Sequence, residues 1–390
     1  MIGPSFRRLT LTGCVTILAL LSLTSSSALA TGSNPQRQID ARHGVKHAAK
    51  PTKRKQKPRK HHAPVTTAAV RQIAVSFAVR NVNTSLVPCT ANGDAYTIHG
   101  TLFVPPAGIP SAATLYVHGL GFGAYYWHFT AVPGYDYATY EAEHGHASVI
   151  IDRLGYGTSS IPAGTGSCIG GQASILHQIV QDLRHGTYTA TARSTPSFRR
   201  IGLVGHSVGG ELVQVEAESF HDIDALSVED FTDGTYSPLA LDAFGTDGAT
   251  CALGGGPQTP GGAPGYGDFG ATIADYNEIM FNDADPAVVK AADAVRSKDP
   301  CGDILSILTA VPIDLLNLHT IRVPVAYVWG SKDALFLSPA PWAAIQESLY
   351  SGSPKVTNIE LVGSGHAVTL GRQAPHLQQS MDAWLTANSL

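Results

Sequence analysis

Three residues, far apart in the chain, carry side chains suited to nucleophilic catalysis. Ser207 stands in Gly205-His206-Ser207-Val208-Gly209, where an apolar run, "RRIGLVGH" (199–206), meets a stretch able to open a helix. The spacing is G-x-S-x-G, which sets a serine on a sharp strand-to-helix turn. Such a turn holds its central residue in a backbone region costing ~1–3 kcal/mol, and glycine two residues either side removes the side chains that would collide there. With 40 glycines in 390 residues the pattern alone decides little, so its partners matter. A serine hydroxyl attacks well only when a neutral imidazole takes its proton, and that imidazole needs a carboxylate to hold its tautomer and stabilise the cation. His366 in "GSGHAV" (363–368) and Asp333 in "WGSKDALF" (329–336) supply the two groups. Other carboxylates compete for the acid: "IDALSVEDF" (223–231) ends in Glu229 and Asp230, and Asp233 follows. Asp333 is preferred because it lies three residues past the run "VPVAYVWG" (323–330), while its rivals begin a long insertion.

Something must bring these positions together. From residue 65 onward short apolar runs alternate with helical patterns: 71–82 and 95–106 as an opening pair, then 113–119, 147–152, 199–206, 223–231, 323–330 and 356–363, with helices expected at 173–186 and 377–389. That alternation implies crossover connections and an α/β fold, a mostly parallel central sheet flanked by helices. After the sixth of these strands, residues 232–302 include the glycine-rich "CALGGGPQTPGGAPGYGDFG" and a helical "DPAVVKAADAVRSKD". A structureless loop of that length is improbable inside a compact domain, so a cap or lid insertion is expected, sitting over the serine.

Five motifs now stand in order, each at a strand end: "VHGLG" (117–121), "DRLGYGTS" (152–159), "GHSVGG" (205–210), "WGSKDALF" and "GSGHAV". Together they resemble the α/β-hydrolase superfamily over roughly residues 70–390, and the order Ser207, Asp333, His366 is the one that fold uses. The resemblance implies an ester-cleaving serine hydrolase whose oxyanion donors are backbone N–H groups, that of Val208 after the nucleophile and that of Leu120 in "HGLG", with Gly121 the neighbouring alternative. It also implies that Asp333 lies in the usual acid loop, although some relatives place the acid after the earlier strand. His118 reads as a structural hydrogen-bonding residue. Tyr125, Tyr126, Trp127 and Phe129, with Tyr156, are candidates for an apolar substrate pocket or for core packing. Aspartate at the nucleophile position would mark an epoxide or haloalkane hydrolase, and Ser207 stands there instead.

The N-terminus calls for separate treatment. Residues 1–30 have Arg7 and Arg8, an apolar run from about Cys14 to Leu23, and Ala28 and Ala30 at an A-x-A site, which reads as a secretory signal peptide too short to span a bilayer. Residues 31–64 carry ten Lys or Arg against Asp40 and almost no large apolar residues, so they read as a disordered basic linker or a tether to an anionic cell surface, without specific nucleic-acid recognition. The net charge of −4 divides into +11 over residues 1–65 and −15 beyond. In an exported chain Cys89, Cys168, Cys251 and Cys301, an even set without C-x-x-C spacing, read as two disulfides rather than a metal site. The preferred pairing is Cys89 with Cys168 and Cys251 with Cys301, because the second would close off the insertion.

The sequence thus leads to a secreted, monomeric serine hydrolase, with residues 65–390 as one catalytic domain, acting on a small-molecule or lipid ester or on a lactone without metal or organic cofactor. A cofactor-independent peroxidase or an acyltransferase would use the same three side chains. A non-catalytic binding protein of this fold would be expected to lack one of them.

Overall fold

β-branched and aliphatic residues dominate the runs that become strands, and the burial of each run states its place in the sheet. The computed structural model describes residues 69–390 apart from 193, 235, 271, 337 and 338; the signal peptide and basic arm expected over residues 1–64 lie outside the described residues. The strands are β1 (Arg71–Arg80), β2 (Ala95–Val104), β3 (Ala112–Val117), β4 (Ser148–Ile151), β5 (Thr189–Ala190), β6 (Arg200–His206), β7 (Ala225–Glu229), β8 (Tyr266–Gly267), β9 (Asp299–Pro300), β10 (Val325–Gly330) and β11 (Val356–Leu361). All eight expected strands form. The two-residue β5, β8 and β9 carry too little pattern to be read beforehand.

Nine strands make one sheet in the order β11-β10-β7-β6-β3-β4-β2-β1-β5, parallel from β11 to β4 and antiparallel from β4 through β2 and β1 to β5. β3, β7 and β10 are buried along their whole length, whereas β1 alternates buried and exposed residues. A strand covered on both faces needs a continuous apolar run, and one with a wet face needs alternation.

The helices are α1 (Tyr137–Glu143), α2 (Ile169–His185), α3 (Val208–Phe220), α4 (Pro238–Ala252), α5 (Ile273–Met280), α6 (Pro286–Asp293), α7 (Cys301–Asn317), α8 (Pro339–Leu349) and α9 (Ala374–Ala387). α2, α3 and α7 pack on one another, and α1 packs on α9. The segment between β7 and α7 is built, not a loop. Ser237 caps α4 through the Ala240 N–H with Pro238 in the first turn, and Thr272 and Asp275 form a capping box that starts α5. β8 and β9 pair as a small separate sheet. The structure pairs Cys89 with Cys168 and Cys251 with Cys301, so the second bridge ties the end of α4 to the start of α7.

Candidate active site

β6 stops at His206 and α3 starts at Val208, leaving Ser207 alone at the join with φ 55° and ψ −128°. A left-handed non-glycine residue is strained by ~1–3 kcal/mol and persists only where its surroundings hold it. Here the Ser207 N–H donates to the Glu229 carbonyl at 2.8 Å and its carbonyl accepts the Gly210 N–H at 2.7 Å. A Cβ at Gly205 would run into the Gly209 carbonyl, and one at Gly209 into the Val117 carbonyl. Both flanking glycines are therefore required by the packing of α3 on β6 and β3.

His366 lies five residues past β11 and Asp333 three past β10, two parallel neighbours whose ends open on the same spot. His366 Nδ1 is 2.7 Å from Asp333 Oδ2, both side chains are buried, and His366 Nε2 has no hydrogen-bond partner among the described residues. The remaining Asp333 oxygen accepts the Leu335 N–H at 2.8 Å. His206, the residue before the serine, contributes something its position in the motif did not announce. Its Nε2 donates to the His366 carbonyl at 2.8 Å, and its ring stacks on Tyr126 at 4.3 Å. Burial first, and the nearby His366 second, push its pKa well below the usual value, so it stays neutral.

Asp230 is in the site as well. It follows β7, which pairs with β10, and it adopts φ 47°. Its Oδ1 accepts the Gly330 N–H at 2.7 Å, and polar atoms of Asp230, Asp333 and His366 all lie within 4.8 Å of one another. Burial, then the charge of Asp333, raise the Asp230 pKa well above the carboxylate range, so it is the protonated member of the pair. Asp233 is engaged elsewhere, accepting from Gln346 at 2.7 Å and Gln214 at 3.2 Å. Among the described residues two further clusters offer three cation-ligating groups each, Glu141 with His146 and Asp382, and His177 with Glu216 and Asp222; in each the histidine is already paired with the aspartate.

The loop after β3 approaches the serine so closely that a Cβ at Gly119 would fall 2.7 Å from Ser207 Cβ. The Gly121 N–H, one of the two possible donors in this loop, is taken by Asp299 Oδ1 at 2.7 Å. The Leu120 and Val208 N–H groups donate to no other group among the described residues. His118 accepts the Arg153 N–H at Nε2 (3.1 Å), which leaves its Nδ1–H to donate to the Gly119 carbonyl at 2.9 Å. Burial, then the neighbouring Arg153, hold its pKa well below the usual value, so it is a neutral structural residue.

A hydroxyl on a strained turn, an imidazole oriented by a carboxylate and two free N–H groups can together carry out acyl transfer. The Alpha/beta hydrolase family matches residues 115–378, more than half of the chain. The chain belongs to the α/β-hydrolase family. It is similar to a thermophilic esterase from Thermogutta terrifontis (16% identity, TM-score 0.57, covering 80% of this chain and 99% of that one). It is also similar to an esterase from Exiguobacterium antarcticum (15%, 0.54, 78% and 98%) and to the enol-lactonase from Burkholderia xenovorans LB400 (15%, 0.53, 75% and 97%). No curated protein sequence matches. At these identities the likeness concerns the α/β-hydrolase fold alone.

The aromatic residues that could line a pocket or pack the core are buried or partly buried. Trp127 packs between Tyr116 and Tyr137, Tyr126 backs His206, and the Tyr156 hydroxyl bonds Arg153 and Asp299. Phe129 is buried too, and Tyr125 is partly buried with its hydroxyl on the Gly121 carbonyl at 3.2 Å. This α/β-hydrolase places other aromatics nearer the chemistry: Phe336, whose ring lies 6.1 Å from that of His366, and Tyr276, which packs against Gly121 and Phe122. Composition alone does not tell which aromatic residues face a site, because core and pocket use the same residue types.

Proposed function

We propose that the protein is a serine hydrolase that cleaves a carboxylic ester or lactone through an acyl-enzyme. Ser207 Oγ attacks the acyl carbon while His366 Nε2 takes its proton; the alcohol then leaves with that proton, and water attacks the acyl-enzyme with His366 again as base, regenerating Ser207 and releasing the acid. Asp333 holds the tautomer that keeps Nε2 free and stabilises the imidazolium. Leu120 and Val208 N–H groups meet the developing oxyanion. The observation that carries this reading is the buried 2.7 Å contact between His366 and Asp333, with Nε2 unpartnered among the described residues, at the C-terminal ends of the same run of parallel strands that the Ser207 turn follows. Nucleophile, base and oxyanion donors are all groups of the chain, so the chemistry calls for no metal or organic cofactor.

The segment 232–302 acts in this reading as a lid. It is supported by the Ala367 N–H, next to His366, donating to the Met280 carbonyl of α5 at 2.9 Å, and by the slight exposure of Ser207, 5%. Export belongs to the same proposal, since residues 1–30 have the charge, apolar run and A-x-A site of a signal peptide and a disulfide-forming compartment suits the four cysteines. Residues 31–64, with their basic excess, would contact anionic cell surfaces.

A fluorophosphonate followed by peptide mapping tests the proposal, together with a chromogenic ester series graded by acyl length. Label is expected on Ser207, and Ser207→Ala should lower turnover by up to ~10⁶. Label on another serine, or no turnover of any ester or lactone, would overturn the reading. Products formed with alcohol or peroxide acceptors distinguish hydrolysis from acyl transfer and perhydrolysis.

A further inference from the structure

The loop carrying Leu120 is held from behind, and at Gly121 the holding residues come from the insertion. Both backbone groups of Gly121 are taken. Its N–H donates to Asp299 Oδ1 at 2.7 Å, and its carbonyl accepts the Ser297 N–H at 2.9 Å. Asp299 is completely buried; Oδ1 also accepts the Tyr156 hydroxyl at 3.0 Å, and Oδ2 accepts the Phe269 N–H at 3.3 Å. One peptide earlier, the Gly119 carbonyl accepts from His118 Nδ1 at 2.9 Å and from Arg153 at 3.4 Å, while Arg153 is itself paired with Asp303 at 3.1 Å. A trans peptide carries its C=O and N–H on opposite sides, so holding the Gly119 carbonyl aims the Leu120 N–H the other way. Gly121 has no slack in which to drift: its φ is +71°, and a Cβ there would lie 2.6 Å from the Tyr276 ring.

We propose that Asp299 is a positioning residue for oxyanion stabilisation. Its carboxylate holds the Gly121 N–H directly and, through the Tyr156 hydroxyl and Arg153, backs the Gly119 carbonyl, so that the Leu120 N–H is presented to the acyl oxygen and the insertion completes the catalytic site. The inference rests on the acyl-enzyme reading above. Charge-assisted bonds from a buried carboxylate hold a backbone amide more firmly than neutral ones. An oxyanion donor works only when it sits about 2.7–3.1 Å from where the charge develops, so a loosened loop is felt in the transition state more than in substrate binding.

The test uses the full chain and two variants, with a soluble phenyl ester as substrate and an arylboronic acid as probe, because its tetrahedral adduct on Ser207 sets an oxygen where the oxyanion forms. Asp299→Ala is expected to lower kcat about a hundredfold with KM changed less than about threefold, and to weaken boronate binding in step. Asp299→Asn keeps one acceptor but turns an NH₂ toward one of the N–H donors, and about a tenfold loss in both measurements is expected. If the alanine variant does not fold, as judged by its melting transition, the asparagine variant decides. A folded variant with kcat within about twofold of wild type overturns the proposal. So does a loss of kcat with boronate affinity unchanged, since a merely structural role could produce that. Failure of the acyl-enzyme reading is recognised separately: wild-type protein would then neither be labelled at Ser207 nor bind the boronate, and the proposal would fall with it.

Discussion

Ser207, Asp333 and His366 each follow a parallel strand within five residues, while Tyr276, Met280, Ser297 and Asp299 reach the same place from the segment between β7 and α7. The first group inherits its position from the sheet: β6, β7, β10 and β11 are successive parallel neighbours, so their C-terminal ends lie side by side. The second group is placed by its own helix caps, by the Cys251–Cys301 bridge and by bonds to the β3 loop. The proposed reactive groups thus stand at strand ends of the sheet, and the groups proposed to enclose and aim them stand on the segment between β7 and α7. Such a division lets pocket and donor alignment vary without moving the nucleophile or base.

The largest effect expected on the strand-end side, after loss of the nucleophile itself, is at the acid. Asp333→Asn should lower turnover by on the order of 10⁴ with the melting transition intact, because an amide no longer selects the right imidazole tautomer. Steady-state kinetics on a soluble ester measures it. The comparison with Asp230 sharpens the assignment. Already protonated beside Asp333, Asp230 resembles an amide in shape and hydrogen bonding, so Asp230→Asn should cost less than about tenfold. Near-normal turnover of Asp333→Asn together with loss of activity in Asp230→Asn would move the acid from β10 to β7.

Smallest and most distributed is the effect of pH on stability. Burial raises Glu218 and Glu229 to about 8, Asp247 to about 7, and Asp233 and Asp299 to about 6. The folded chain therefore keeps protons that the unfolded chain releases above about pH 4. These groups contribute stability that is full below that pH and is lost as the pH rises through about 8. The Tm should be higher at about pH 5 than at about pH 8, and Asp247→Asn, inside the insertion, should flatten the slope. A Tm that climbs over this interval would contradict the raised pKa values of these groups.

Much of the strand-end side is legible from the chain alone, since a strand, a glycine-flanked turn and a helix are local arrangements whose residue types declare themselves. The eight long strands, the turn at Ser207 and the built character of residues 232–302 were all open to sequence reasoning, as was the preferred cysteine pairing. The caps Ser237-Pro238 and Thr272 with Asp275 were signals for α4 and α5 that could have been used. The aromatics at 125–129 and Tyr156 were ambiguous, because apolar residues near a motif pack inward or line a pocket with the same composition.

The sequence by itself determined the parallel α/β architecture and which strand ends carry Ser207, Asp333 and His366, because hydrophobic periodicity and turn chemistry act over a few residues. Only the tertiary structure decided that Asp230 stands beside Asp333, that His206 holds the His366 loop and that Asp299 ties down Gly121. Each of these joins residues about a hundred or more positions apart. Such meetings depend on which strands become neighbours and on how an insertion folds back, and no local pattern encodes either.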